Sequence, residues 1–555
     1  YREGSFRQRL DTSGWQHEYW VDTDPERLPA ALVTDGHGQP VTVAVEIRGR
    51  TVTVQVWRVD VGRVALYLLD AERPENDRVD RWITSQLYVG DPDLRLAQYA
   101  LLGIGGIRAV RALGIEPGLV HLNEGHAAFA PLELARAEAE GGAWSGEALA
   151  RARSRTIFTT HTPVPAGNDT YEWSAVRDVV RSIAERLAVP ADELCMLGET
   201  APFSGRVGVT QLGLRMSRAA NGVSRRHGLV ARAMWQQVFP GRRLDEVPIG
   251  HVTNGVHLGT WMAEPMRTLL ERHLGAGWEA RPGEPSAWSG VDAIPDEELW
   301  TARCEQRARL VAYVREHTVA DRLSRGEPLD YVDAAARMFD PTVLTVGFGR
   351  RLATYKRLHL LIHDMHRGLA LLGSDRPLQI LIAGKAHPRD AEAKRIVQAL
   401  FTFKTVAAVA GRVAYLHDYD VGMAAVLVAG CDVWVNLPRP PQEASGTSGM
   451  KSALNGGLQL SVLDGWWAEA YDGSNGWAIG GEVDGDEAGQ DARHADTLYR
   501  LLETEVVPEF HDRDERGLPR RWLRRVKASL RTNGPAFCAT RMLDDYLRGP
   551  YSSAG

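Results

Sequence analysis

Lys451 is the residue of this sequence best equipped for covalent chemistry. It closes the run EASGTSGMK at residues 443–451 and belongs to a scarce type. Of the 65 Lys+Arg residues only Lys356, Lys385, Lys394, Lys404, Lys451 and Lys527 are lysine. Arginine serves wherever charge alone is needed, so a retained lysine points to an amine that can lose its proton and react. Residues 444–449 carry small side chains or none, which lets backbone amides approach a ligand closely. A helix beginning near Ser448 would turn its free N–H groups on that ligand, favour an anion and depress the lysine pKa. A neutral amine there could attack an aldehyde and form a Schiff base. Glu443, just upstream, could accept hydrogen bonds from sugar hydroxyls. The chemistry implied is a lysine loop that binds an anion and a carbonyl; the alternative is a solvated surface lysine.

A second constellation is VGFGRRLATYKR, residues 346–357. Glycines at the end of a predicted buried strand are followed by Arg350, Arg351, Lys356 and Arg357, a grouping suited to a dianionic phosphate. Other clusters are weaker. LLGIGGIRAV (101–110) follows a helix-like run and lacks dinucleotide spacing, and GTSGMKS has the wrong spacing for a phosphate-binding P-loop. HLNEGH (121–126) fits no zinc pattern. THTPVPAGND (160–169) places His161 in a strand-end loop, where functional residues concentrate. VTNGVHLGTW (252–261) reads as an Asn-Gly turn.

Elements must position these groups. Alternating strands are predicted at 51–60 and 63–70, then a change near residue 95 to helix–strand alternation, with strands at 119–122 and 156–160. Residues 175–187 and 208–236 read as long helical stretches, and 275–296 as a polar surface excursion bearing tryptophan. Strands follow at 342–348, 378–384, 413–416, 433–437 and 458–463, spaced for parallel βαβ units. The expectation is an α/β protein of two lobes joined near residue 250 with a cleft between them. At 555 residues, 44% hydrophobic and net charge −6, the chain has an ordinary globular composition without a basic run, which argues against nucleic acid. No stretch approaches the roughly 18 apolar residues of a membrane span, and no signal peptide is visible. Four scattered cysteines without a CxxC suit a reducing, cytoplasmic compartment and no metal. The first residue is Tyr1 rather than Met, as in a processed chain or a fragment.

EASGTSGMKSALNG resembles the pyridoxal-phosphate attachment segment of the α-glucan phosphorylases, whose pattern E-A-S/C-G-x-G/S-x-M-K-x-x-L/M-N is met from Glu443 to Asn455. NEGHAAF, THTPVP, ANGVSRRHG, VTNGVHLGTW, VGFGRRLATYKR, IAGKAHPRD and DVWVNLPRPPQEASG agree in order, and the resemblance runs from about residue 1 to 545. It is nearest to the shorter bacterial branch. The resemblance implies a GT-B fold, two Rossmann-like lobes: residues 1–250, residues 251–525, and a helical tail at 526–555. It implies phosphorolysis of terminal α-1,4 bonds of glycogen or maltodextrin by orthophosphate, giving glucose 1-phosphate with retention. By the same resemblance Lys451 carries pyridoxal 5'-phosphate as a Schiff base. Arg350, Arg351 and Lys356 surround the cofactor and substrate phosphates, with Lys451, Lys356 and Arg351 as the catalytic set. Tyr419, Thr447 and Ser448 touch the cofactor. Tyr355 lies near the glucosyl 2-hydroxyl; Glu443, Ser445 and Gly446 hold the 2- and 3-hydroxyls; Asn254 and the His161 carbonyl hold the 6-hydroxyl. A homo-oligomer is left open, and neither phosphorylation nor nucleotide effectors are expected. Asp420 stands where longer members carry a phosphate-binding arginine. The family's glycine-rich substrate loop, of the SGGLG kind, is expected upstream of residue 1. An inactive glucan-binding fragment therefore stays open as an alternative, as does a nucleotide-sugar glycosyltransferase of the same fold.

Overall fold

Two parallel sheets organise most of the chain in a computed structural model, beside an antiparallel sheet of Ala31–Leu32, Thr42–Ile47, Arg50–Val61 and Val64–Asp70. The structure describes residues 1–87, 89–140, 144–164, 167–403, 409, 411–483 and 485–552. Lys404, and Pro165 and Ala166 of the THTPVPAGND loop, lie outside the described residues. The first sheet has four strands in the order Ile249–His251, Ala219–Gly222, Thr156–Thr159, Val120–Asn123. The second has six, in the order Val413–Leu416, Leu378–Ala383, Leu344–Gly349, Val433–Asn436, Leu458–Val462, Gly476–Ile479. The protein is thus α/β with parallel sheets.

Both faces of the second sheet are covered. Leu344, Val346 and Phe348 point into a core completed by Met266, Trp288 and Trp522. Leu381, Ala383 and Trp434 point into a smaller core under the helix Asp296–Ser324. Such double burial explains why Leu344–Gly349 and Val433–Asn436 read as continuous apolar runs. Chain order reverses between these two neighbours: from Leu344–Gly349 it proceeds to one edge, and from Val433–Asn436 to the other. In open α/β sheets the crevice at such a reversal, outside the strand carboxyl ends, is where ligands bind.

The structure corrects two expectations. Residues 208–236 are not one helical stretch: the strand Ala219–Gly222 separates helices Val209–Arg215 and Arg225–Trp235. This interior strand is made of small residues because helix Arg225–Trp235 crosses it closely; a Cβ on Gly222 would lie 2.8 Å from the Gly228 nitrogen. Ala-Ala-Asn-Gly carries no strand propensity, so tertiary packing decides it. The stretch 275–296 is not a surface excursion. Trp278 and Trp288 are buried edge-to-face at 5.1 Å, and Val291 and Ile294 join the same core. Polar residues between these anchors conceal a pattern that is neither helical nor alternating.

The termini cross over. The hairpin Arg7–Leu10 with Gln16–Tyr19 packs on the second sheet, where Leu10 enters the core, Gln16 pairs with the Ala386 backbone and Gln8 with Asp418. The last helix, Ala539–Arg548, returns to the first sheet, where Tyr546 meets Thr159 and Asn221. No helix among the described residues is long and apolar enough to cross a membrane.

Candidate active site

The loops leaving the two strands at the reversal meet. After Gly349 the chain runs through Arg350, Arg351, Tyr355 and Lys356; after Asn436 it runs to Glu443. Lys356 Nζ lies 2.5 Å from Glu443 Oε2, although the residues are 87 apart in sequence. Arg350 Nη1 lies 3.5 Å from the same oxygen and donates to Asn436 Oδ1; Asn436 Nδ2 reaches Glu443 at 3.3 Å. All four side chains are buried. Burial pushes the Glu443 pKa up, but Lys356 and Arg350 outweigh it and hold the carboxylate below its ordinary range. Two cations to one carboxylate leave the cluster net positive.

Arg350 is a cation short of counter-charge. Its Nε is buried with no hydrogen-bond partner, and its Nη2 contacts to the Val435 carbonyl and Ser448 Oγ are long, 3.4 and 3.5 Å. Burial pulls its pKa down despite Glu443 and Tyr355. Ser445 Oγ is likewise buried without a partner. Buried donors without acceptors are rare in finished structures. Here they fit an anionic group seated between Arg350 and the 445–448 loop.

The lysine loop takes its shape from glycine. Gly446 adopts φ +89°, which admits a side chain only with strain, and caps the helix Thr447–Ala453. Gly449 packs against Trp466, so a Cβ there would lie 2.9 Å from the ring. Lys451 is half-buried one turn into this helix. Burial depresses its pKa. Its Nζ lies 3.7 Å from the centre of the Trp261 ring, an aromatic face that partly offsets desolvation of the charge. Asn455 binds the Lys451 and Trp261 carbonyls at 2.9 and 2.7 Å and so ties amine and ring together. An amine inclined to lose its proton, on a helix whose first turn meets the under-partnered Arg350 at Ser448, fits an aldehyde that carries a phosphate.

The other sequence-predicted residues divide into groups. Tyr419 is close to Arg350, burial pushes its phenol up to about 12, and its hydroxyl reaches the Gly349 carbonyl at 3.4 Å. Asp420 caps the helix Val421–Gly430 by accepting from the Met423 amide, so it has a structural task. Tyr355 lies under Lys356 Nζ at 4.6 Å, and its carbonyl accepts from the Arg439 amide. Ser448 accepts from Trp434 Nε1 at 3.1 Å, and Thr447 opens the helix. Arg351 is exposed and does not join the Glu443 cluster among the described interactions. Arg357 is a structural cation, locked onto the Leu437 and Pro438 carbonyls and Asp491. His161 and Asn254 follow two strands of the first sheet, Thr156–Thr159 and Ile249–His251, which Ala219–Gly222 separates. No described hydrogen bond joins them directly to Glu443 or Lys451. They connect through the Thr253–Glu469 bond (2.9 Å) and through Arg226, which binds the Leu463 and Gly481 carbonyls and Asp464.

Three residues were not singled out by the sequence reading. Asn436 bridges Arg350 and Glu443; its only signal is a polar residue ending a buried apolar strand. Asp464 is fully buried and accepts from the Glu443 and Gly465 amides, which sets the Glu443 loop. Burial is the main cause that pushes its pKa up to about 6. Trp261 ended a motif whose turn alone drew notice. Among the described residues no group of His, Cys, Asp and Glu could hold a metal.

Comparisons with known proteins show the family of the chain. Residues 115–473 match the carbohydrate phosphorylase family. A glycogen phosphorylase of Mycobacterium tuberculosis is 45% identical over all of this chain, which spans 66% of that protein. A maltodextrin phosphorylase of Thermococcus litoralis is 40% identical, with the chain spanning 65% of it. A glycogen phosphorylase of Aquifex aeolicus is 38% identical, with 79% spanned.

Proposed function

Because the chain belongs to the carbohydrate phosphorylase family, we propose that it is an α-glucan phosphorylase acting reversibly on terminal α-1,4 bonds of glycogen or maltodextrin. Orthophosphate is the second substrate and glucose 1-phosphate, formed with retention, the product. The two parallel sheets are read as the lobes of a GT-B fold, and the cytoplasm as the setting. The observation that carries the reading is the buried Lys356–Glu443–Arg350 cluster at the sheet reversal, which meets at Ser448 the helix that carries a pKa-depressed Lys451.

Lys451 is the residue that would hold pyridoxal 5'-phosphate, with Arg350, Ser448, Thr447 and Tyr419 around it. When bound, that group supplies a phosphate able to exchange a proton with the attacking orthophosphate. The protein's part is electrostatic and geometric. Two unit negative charges about 5 Å apart repel by on the order of 3 kcal/mol at an effective dielectric of 20. Lys356 and Arg350 offset this, and their burial keeps water from screening them. Glu443, held ionised by those cations, accepts from the 2- and 3-hydroxyls, with Ser445 and Gly446 beside it. Asn254 and the His161 carbonyl hold the 6-hydroxyl from the first sheet. A sugar fixed at both ends presents its anomeric carbon to the phosphate, whose negative charge stabilises an oxocarbenium-like transition state.

The test has two arms. Purified protein loaded with pyridoxal 5'-phosphate should absorb in the near ultraviolet, and borohydride should fix the adduct on the peptide containing Lys451; Lys451→Ala should abolish both. Maltodextrin plus orthophosphate should then yield glucose 1-phosphate. Absorbance without turnover selects a glucan-binding protein instead, and no adduct at Lys451 ends the proposal.

A further inference from the structure

The segment that follows the second sheet is bound to the loop that carries Asn254 and to the end of the strand that leads into His161, the two places assigned to the sugar's 6-hydroxyl. On one side Phe537 and Ala539 pair with Val256 at 2.9 Å each way. Arg541 Nη2 donates to the Asn254 carbonyl at 3.0 Å, and the Gly255 amide meets Met542 Sδ at 3.4 Å. Gly255 must be glycine, because a Cβ there would run into the Cys538 carbonyl. Arg541 is itself fixed, its Nε on the Ala536 carbonyl and its Nη1 on Asp545, both at 2.7 Å. On the other side the buried Tyr546 hydroxyl lies 3.1 Å from Thr159 Oγ1 and accepts from Asn221 Nδ2 at 3.1 Å. Thr159 ends the strand two residues before His161, and His121 ties it at 2.6 Å to the same group, which Tyr551 completes.

From these contacts we propose that Arg541 and Tyr546 are positioning residues for the 6-hydroxyl subsite: one helix, Ala539–Arg548, sets the spacing between Asn254 and His161. This rests on the reading of Asn254 and His161 as holders of that hydroxyl. The two residues lie 93 positions apart in sequence, on loops of different strands. A helix touching the Asn254 loop and the strand end before His161 adds a common restraint on both, and such preorganisation reduces the ordering cost of binding. A cavity of about 630 Å³, lined by Thr253, Glu469, Phe537 and Arg541 among others, adjoins the Arg541 side. Arg541 borders that space, so its replacement removes a restraint at the rim of a cavity and not inside a core.

The test compares binding of glucose 1-phosphate with that of 6-deoxyglucose 1-phosphate, by calorimetry on protein loaded with its cofactor. Wild type is expected to prefer the hydroxylated ligand by about 10-fold, the worth of one good hydrogen bond. Asn254→Ala and Arg541→Met should each cut that preference to about 2- to 3-fold, by weakening the hydroxylated ligand and leaving the 6-deoxy ligand unchanged. Tyr546→Phe should do the same. Arg541→Lys, which keeps the charge beside Asp545, guards against loss of folding and should fall between. A purely structural role would weaken both ligands equally, and that outcome overturns the proposal. It is also overturned if Asn254→Ala erases the preference while Arg541→Met and Tyr546→Phe retain it. No preference in wild type, or no binding of either ligand, instead shows that the subsite reading is wrong, and the positioning role falls with it.

Discussion

Gly465→Ala offers a measure of how tightly the loop of Glu443 and Ser445 is held. Gly465 has φ +53°, and a Cβ placed on it would lie 2.9 Å from Glu443 Cγ and from the Ser445 carbonyl carbon, and nearer still to the Ser445 oxygen. Ordinary contact begins near 3.4 Å, so the loop must retreat by at least 0.5 Å, the difference between those two distances. Left-handed backbone costs a non-glycine residue about 1–2 kcal/mol. Loss of the Trp466 amide bond to the Ser445 oxygen, 2.8 Å long, adds about 1 kcal/mol. A displacement of about 1 Å costs on the order of 100-fold in rate, so kcat/KM for maltodextrin phosphorolysis should fall by about 10- to 100-fold. Gly517→Ala separates the two effects. Gly517 has φ +76° with nothing within 4 Å of the added carbon, so it carries the backbone cost alone. Urea unfolding should show both variants destabilised, Gly465→Ala by about 1 kcal/mol more, while only Gly465→Ala loses activity. Equal kcat/KM in the two variants would refute the idea that Gly465 sets the position of Glu443 and Ser445.

Asp464 should make stability depend on pH in the unusual direction for a carboxylate. Its pKa is raised from 3.8 to about 6, so ionisation is harder in the folded state. Its contribution is most favourable below pH 4 and is lost as pH rises through about 6, by on the order of 3 kcal/mol in all. Relative to wild type, Asp464→Asn should therefore gain urea resistance between pH 5 and pH 7.5; a constant difference contradicts this. Asp432 sits between the fully buried Arg303 and Arg307, 3.4 and 2.6 Å away. Asp432→Ala strands two cations in the core and should cost about 3–5 kcal/mol, read as a lowered thermal midpoint. A loss below about 1 kcal/mol, the scale of an exposed pair, would show that backbone carbonyls alone satisfy the arginines.

Much of the site was legible because it is local. Lys451, the small residues before it and Glu443 sit within nine positions, and the helix that presents the lysine begins at Thr447, one residue from where the sequence placed it. The predicted strands from 342 onward all exist, since buried parallel strands declare themselves as apolar runs. Ala219–Gly222 did not, because its glycine and alanines serve a close helix crossing. Trp278 and Trp288 misled in the opposite way, as anchors among polar residues that give no periodic signal.

The sequence by itself determined which groups the candidate site has to work with: a lysine in a small-residue loop, a carboxylate and a set of cations at strand ends. Only the tertiary structure decided which of those charges act together. Arg350, Lys356 and Arg357 are indistinguishable as a cationic run, yet the first two converge on Glu443 while the third is spent on backbone carbonyls and Asp491. Nor could the sequence assign Asp464 to the Glu443 amide or Arg541 to the Asn254 carbonyl, 287 residues away. Local periodicity records whether a side chain is buried; the partner it meets, and hence its charge state and role, is set by chain segments that come together only when the sheets assemble.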